Sequence, residues 1–387
     1  MKKTKINLVV LAIFLVALVP SIMLAQWNQP QWVIDKYQAS DLKFSYGGVM
    51  QTLAYRILTP ANFDSTKKYP IIITLHGRSG FNAPGTKAYN INNLRAVNGQ
   101  FADEAIRLKY PAYIIALQGK TLPTGKNEDW GKMHFEGIKK IIADLGMNAD
   151  LNRIYVMGQS FGGQGTYNFI TYGPSYFAAA ISASAEGNRI STTNKDKLVN
   201  FNLWTMHGKT DTEILYKSDS LFFQYMKLKN AKMKFTTFTN TGHSMEHFMI
   251  GSGDNGNFTT SLLDNVTGVA TIKTYKYTIE YASANSDPES NTLDWLFSKS
   301  LLGTVALNKS RATQKPTINF DKGNSELNYS RTAGIDQVIV YNLNGTAVFK
   351  AKKPSGNTLD LSSLKDGLYI VKIYQENGDV STTKIMK

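Results

Sequence analysis

Three polar residues stand in an order that can do acyl-transfer chemistry: Ser160, Asp211 and His243. A serine hydroxyl is a weak nucleophile until a base takes its proton, and the base needs a third group to hold it. Ser160 lies in Gly158-Gln159-Ser160-Phe161-Gly162, the G-x-S-x-G spacing of a sharp strand-to-helix turn. The flanking glycines suit such a turn, because a Cβ at either would crowd the neighbouring strand or helix. Read singly, Asp211 is a solvated loop acid and His243 a loop-bracing histidine. Their order, at the ends of successive strands, joins them to Ser160: the serine attacks a carbonyl, His243 moves the proton, and Asp211 orients the imidazole. The oxyanion of the intermediate then needs two donors. The Phe161 N–H follows the nucleophile, and the loop His76-Gly77-Arg78 supplies a second, from Arg78 with Gly77 as the alternative.

The surrounding pattern says what positions these residues. Tyr69–Leu75, Ala112–Leu117 and Arg153–Met157 are short, nearly continuous apolar runs, typical of strands buried on both faces of a parallel sheet. Phe177–Ala183, Asn202–Met206 and Met233–Phe238 read as further strands, and Gly47–Leu58 is rich in strand formers. Helical patterns fall between them, over Phe101–Lys109, along Phe135, Ile138, Ile141, Ile142 and Leu145, and along Leu221, Phe222, Tyr225 and Leu228. Leu293–Phe297 closes the series as a helix. The expected fold class is α/β: a mostly parallel, doubly wound sheet with helices on both faces. Residues 244–292 break the pattern, with Thr271–Tyr281 reading as an edge strand in an insertion that either shapes substrate access or decorates the fold. From Thr317 the chain turns to short strands and turns, including Gln337–Tyr341 and Asp366–Tyr374, which predicts a small all-β sandwich. The expected organisation is a signal peptide (1–25), a catalytic domain (26–302), a linker (303–316) and a β-sandwich (317–387).

Composition narrows the chemistry. The 387 residues contain no Cys, so thiol catalysis and disulfides are excluded. Met1-Lys2-Lys3-Thr4-Lys5 followed by the apolar run Leu8–Val19 and Ala25 reads as an export signal cut near Ala25, with an uncleaved anchor as the alternative. The net charge of +14 is scattered rather than gathered with aromatics, so no nucleic-acid partner is expected. No membrane span is expected after signal cleavage. His76 and His207 read as loop-bracing, and His134 as packing or surface. His247 follows His243 at helical spacing but lacks a third ligand, so no metal and no cofactor is expected. Glu186 and Asp196 are rival acids one strand too early. Trp130 lies in the loop after Ala112–Leu117, where it either lines a substrate pocket or packs.

Residues from about Leu53 to Phe297 resemble the secreted carboxylesterase and predicted-peptidase branch of the α/β-hydrolases, related to feruloyl and acetyl esterases and polyhydroxybutyrate depolymerases. The resemblance rests on Tyr69-Pro70 through His76-Gly77, Arg153-Ile154-Tyr155-Val156, the turn at Ser160 and Phe177–Ala180. It continues through His207-Gly208-Lys209-Thr210-Asp211, Gly242-His243 and Leu293–Leu296. Phe161 stands where that branch would have Met, and Gln159 is a less usual neighbour of the nucleophile. Residues from about Thr317 to Lys387 resemble the C-terminal sorting domain of the type IX secretion system, through Val340–Gly345, Leu359–Ser362, Asp366–Val371 and Lys384-Ile385. A small carbohydrate-binding module is the rival reading of this segment. Together the resemblances imply a secreted serine carboxylic ester hydrolase acting on acyl groups, with polysaccharide esters as substrate and the secretion machinery as partner. A serine peptidase of the prolyl-oligopeptidase type, a polyester depolymerase and a surface glycan-binding protein are the alternatives.

Overall fold

The computed structural model describes residues 29–81, 91–95, 97–119, 130–264, 267–303, 318–329, 334–342, 345–375 and 380–387. The expected signal peptide and nearly all of the expected linker lie outside the described residues. The chain falls into two compact units: residues 1–103 with 110–305, and residues 306–387 with 104–109.

Among the described residues, the first unit is built on eleven strands: β1 (Gln38–Tyr46), β2 (Val49–Leu58), β3 (Tyr69–Leu75), β4 (Tyr113–Leu117), β5 (Ala149–Gln159), β6 (Ala179–Ala183), β7 (Leu203–Gly208), β8 (Met233–Phe238), β9 (Gly251–Asp254), β10 (Asn257–Leu263) and β11 (Ala270–Tyr281). They form one sheet in the order β1-β2-β4-β3-β5-β6-β7-β8-β11-β10-β9. From β4 to β8 every pairing is parallel. β1 and β2 run antiparallel at one side. Every residue of β3, β4, β6 and β7 is buried, because helices cover both faces.

Side-chain alternation shows how. Ile71, Ile73, Ile115, Val156 and Leu203 point to a core shared with Ile138 and Ile142 of the helix Lys132–Asp144 and Phe222 and Met226 of the helix Lys217–Leu228. Their sequence neighbours point the other way, where Trp204 meets Trp295 and Tyr155 meets Phe297 of the helix Thr292–Phe297. Burying one such aliphatic side chain contributes about 1.5–3 kcal/mol relative to leaving it in water, so the central strands are the stable frame behind the loops.

Three expectations need correction. The pattern over Phe101–Lys109 is two helices, Val97–Phe101 and Glu104–Lys109, broken between them. In the helix Lys217–Leu228 the buried face is Asp219, Phe222, Phe223 and Met226, while Leu228 is 84% exposed. The stripe is turned because Asp219 is drawn inward by partners described below. The segment Thr271–Tyr281 is a strand but not an edge. The Tyr277–Tyr281 half of β11 pairs with β8 and its Ala270–Lys276 half with β10. The insertion thus continues the main sheet, sealed by Phe238, Phe248, Phe258 and Tyr277.

The second unit contains β12 (Ile318–Asp321), β13 (Glu326–Tyr329), β14 (Ile335–Tyr341), β15 (Ala347–Lys352), β16 (Thr358–Asp360), β17 (Leu368–Gln375) and β18 (Val380–Met386). They form a three-stranded sheet, β12-β13-β16, and a four-stranded sheet, β15-β14-β17-β18. The strict alternation in β17 puts Tyr369, Val371 and Ile373 into a core with Leu327, Val338, Val340, Leu361 and Ile385.

Candidate active site

Ser160 sits between β5 and the helix Phe161–Tyr172 with φ 59° and ψ −123°. A non-glycine residue in that region costs of order 1–3 kcal/mol and persists only where its surroundings fix it. Here the Ser160 N–H donates to Ala183 O at 2.9 Å, and its carbonyl accepts from the Gln164 N–H at 2.9 Å. The turn is possible only between glycines. A Cβ on Gly162 would stand 1.9 Å from Leu75 O, and one on Gly158 would stand 2.4 Å from Gly162 O.

The structure brings Ser160, His243 and Asp211 into one line. Ser160 Oγ lies 2.7 Å from His243 Nε2, and His243 Nδ1 lies 2.9 Å from Asp211 Oδ2. Asp211 and His243 come from the loops after β7 and β8. These loops are stitched together: the Lys209 N–H donates to Phe238 O, and the Thr210 N–H donates to Thr241 O. Gly208 permits the approach, since a Cβ there would lie 2.2 Å from Thr241 O. Asp211 Oδ1 accepts from the N–H groups of Glu213 and Ile214 at 2.9 and 3.0 Å. Burial alone would raise the Asp211 carboxyl, but hydrogen bonds from His207, His243 and the Ile214 N–H hold it well below the usual carboxylate range. Burial alone would lower His243, yet its hydrogen bond to Asp211 and the nearby carboxylates raise it above its ordinary 6.5.

The two expected oxyanion donors stand at the openings of helices, where N–H groups have no partner within the helix. Phe161 opens the helix after Ser160, and Arg78 opens the 3-10 turn Arg78–Gly80. The loop carrying Arg78 is close to Ser160: a Cβ on Gly77 would be 3.6 Å from Ser160 Cβ. A cavity of about 490 Å³ opens over Ser160, with Arg78, Trp130, Phe161, Gln164, Asn168, Glu186, Arg189, Glu213 and His243 on its walls. Trp130 lines it while itself only 1% exposed, packed against His76 and Phe81. Among the described residues, none of the insertion after His243 lines this cavity.

Other expected residues fall into structural roles. His76 Nε2 accepts from the Gly119 N–H, so Nδ1 carries the proton and donates to Gly77 O at 2.8 Å. Burial pushes this imidazole down to about 3. His134 is buried against Trp130, and His247 packs on Phe248. Glu186 pairs with Arg189 at 2.9 Å and Asp196 with Lys229 at 3.0 Å. Among the described residues no cluster of three or more His, Asp or Glu could hold a metal ion.

Three residues have contacts that the sequence did not assign: Gln159, His207 and Asp219. Gln159 Nε2 donates to His243 O at 2.6 Å and so holds the backbone of the histidine. His207 and Asp219 form a buried network behind Asp211. Asp219, the one polar residue on the buried face of the helix Lys217–Leu228, is the signal for the network behind Asp211.

This architecture is the α/β-hydrolase fold, joined to a separate C-terminal all-β region. Residues 131–252 match the Dienelactone hydrolase family, and residues 312–387 match the Secretion system C-terminal sorting domain. The tail marks the chain for export to the cell surface or extracellular space and implies the type IX secretion machinery as a partner. No helix among the described residues is long and apolar enough to cross a membrane. No curated protein matches the chain. Among solved structures, a thermostable esterase is similar at 23% identity, covering 55% of this chain and 56% of that one, with a TM-score of 0.45. A ferulic acid esterase is similar at 17% identity, covering 55% of this chain and 93% of that one, with a TM-score of 0.40. An acylaminoacyl peptidase of Pyrococcus horikoshii is similar at 16%, covering 54% and 38%, with a TM-score of 0.40. The chain thus spans just over half the length of the first of these relatives.

Proposed function

We propose that the first unit is a serine carboxylic ester hydrolase working through an acyl-enzyme. The observation that carries this is the continuous line from Ser160 Oγ to His243 Nε2 and from His243 Nδ1 to Asp211 Oδ2, at 2.7 and 2.9 Å. Ser160 Oγ attacks the ester carbonyl as His243 Nε2 takes its proton. The carbonyl electrons move onto oxygen, where the N–H groups of Phe161 and Arg78 stabilise the negative charge. The intermediate collapses, the C–O bond to the alcohol breaks, and His243 returns the proton to the departing oxygen. Water then repeats the sequence on the acylated serine, releasing the acid and restoring Ser160.

The substrate reading is an acyl group carried on a polysaccharide. Its support is the lining of the cavity: Arg78, Gln164, Asn168, Glu186, Arg189 and Glu213 offer both donors and acceptors above an aromatic wall of Trp130 and Phe161. Such a wall suits a hydroxyl-rich partner better than a long alkyl chain. Ser160→Ala is expected to lower hydrolysis of p-nitrophenyl acetate by a factor of about 10³ or more and to abolish labelling by a fluorophosphonate probe. Equal rates in the variant and wild type would end the proposal. A panel of acetyl, feruloyl and longer-chain esters then tests the substrate reading, with long-chain preference as the outcome against it.

A further inference from the structure

We propose that His207 is a positioning residue: a permanent imidazolium, clamped between two carboxylates, that keeps Asp211 ionised and aimed at His243. The inference rests on the reading of Ser160, His243 and Asp211 given above. The His207 and Asp211 side chains are both fully buried, as is that of Asp219. His207 Nδ1 lies 2.7 Å from Asp219 Oδ2. Its Nε2 lies 2.9 Å from Ile214 O and 3.2 Å from Asp211 Oδ2. Every group facing either ring nitrogen is therefore an acceptor.

A neutral imidazole has one N–H and one lone pair. In either tautomer that lone pair would point at an oxygen, a repulsive contact in a dry site. The Asp219 carboxylate also meets donors from elsewhere, so the His207 contact is one of several. Oδ1 accepts from Tyr167 Oη and the Gly187 N–H, and Oδ2 accepts from the Ala185 N–H. The geometry thus assigns both protons to His207. Tyr216 also packs on the ring, edge-on at 5.8 Å, and carries Lys209 on its own face. Burial alone would lower His207, but Asp211 and Asp219 outweigh it and raise the imidazole to about 10.

The consequence reaches the nucleophile in two steps. Asp211 Oδ2 is shared between His207 Nε2 and His243 Nδ1, so the carboxylate is fixed from behind and in front. A positive charge on the far side also tempers the pull of Asp211 on the His243 proton. Without it, His243 would hold its proton to higher pH, and the base would be available over a narrower range.

Two measurements on the full chain test this. In ¹⁵N-histidine NMR of the wild type at pH 8, the imidazole in contact with the Tyr216 ring is expected to carry protons on both nitrogens. An unprotonated nitrogen on that ring overturns the proposal. This reading stands apart from activity, so it separates failure here from failure of the Ser160 assignment, which the Ser160→Ala variant decides. In the second, His207→Gln is expected to lower kcat on p-nitrophenyl acetate about tenfold, as for loss of one hydrogen bond to a charged group. KM should change little, and the acidic limb of the kcat/KM profile should move to higher pH. A limb that stays in place in a folded variant removes the positioning role. If the variant does not fold, the wild-type NMR result decides alone.

Discussion

Ser160 has an unusual backbone because its side chain must stand free at the end of β5. The residues around it trade freedom for that exposure. Gly158 and Gly162 could be anticipated from spacing alone, since the turn has no room for a Cβ at either position. Gln159 could not be interpreted in advance: it looked like an odd neighbour of the nucleophile, yet its amide holds His243 O at 2.6 Å. That contact joins residues far apart in sequence and exists only after β5 and β8 are placed. The pH dependence belongs to the same residues. In the proposed mechanism His243 must be neutral to take the Ser160 proton, and Asp211 raises it above 6.5. Activity should therefore be lost as pH falls through a midpoint above 6.5. A kcat/KM profile for p-nitrophenyl acetate with its acidic midpoint below that value would contradict the electrostatic picture of Asp211.

At the level of strands and loops, the site depends on how closely the turns after β7 and β8 approach. Gly208 ends β7 with Thr241 O and Gly242 O where its Cβ would be. Gly208→Ala should push the Asp211 and His243 loops apart. Overpacking of this kind costs about 1–3 kcal/mol, and a misplacement of about 1 Å in a catalytic group can cost roughly a hundredfold in rate. Thermal unfolding and kcat measured on one preparation would test both effects. An unchanged kcat would mean that the loops are held by other contacts. The same comparison shows why the central strands were readable and the insertion was not. β3, β4 and β6 are buried on both faces, so their composition alone marks them. The alternating residues of β11 suggested an edge, because a strand half exposed in the middle of a sheet carries the same pattern. The buried face of the helix Lys217–Leu228 was misread because Asp219 counts as polar in any hydrophobic pattern. It is inside only because Tyr167, His207 and the N–H groups of Ala185 and Gly187 meet it there.

For the molecule as a whole, export and chemistry are written in different parts of the chain. The sorting domain occupies residues 312–387. Ser160, Asp211, His243, the Phe161 and Arg78 N–H groups and every residue lining the cavity lie between residues 78 and 243. Each unit also has a core of its own: Ile71, Val156 and Leu203 in one, Val338, Val371 and Ile373 in the other. The proposed site draws all of its named residues from the first unit. Proteolytic release of residues 312–387 should therefore leave kcat/KM for p-nitrophenyl acetate within about twofold of the full chain, the range expected when no catalytic contact is lost. The comparison is made on the full chain and on the same preparation after limited proteolysis. A loss of about tenfold or more on release would mean that the tail shapes the cavity, and the separation of export from chemistry would have to be abandoned.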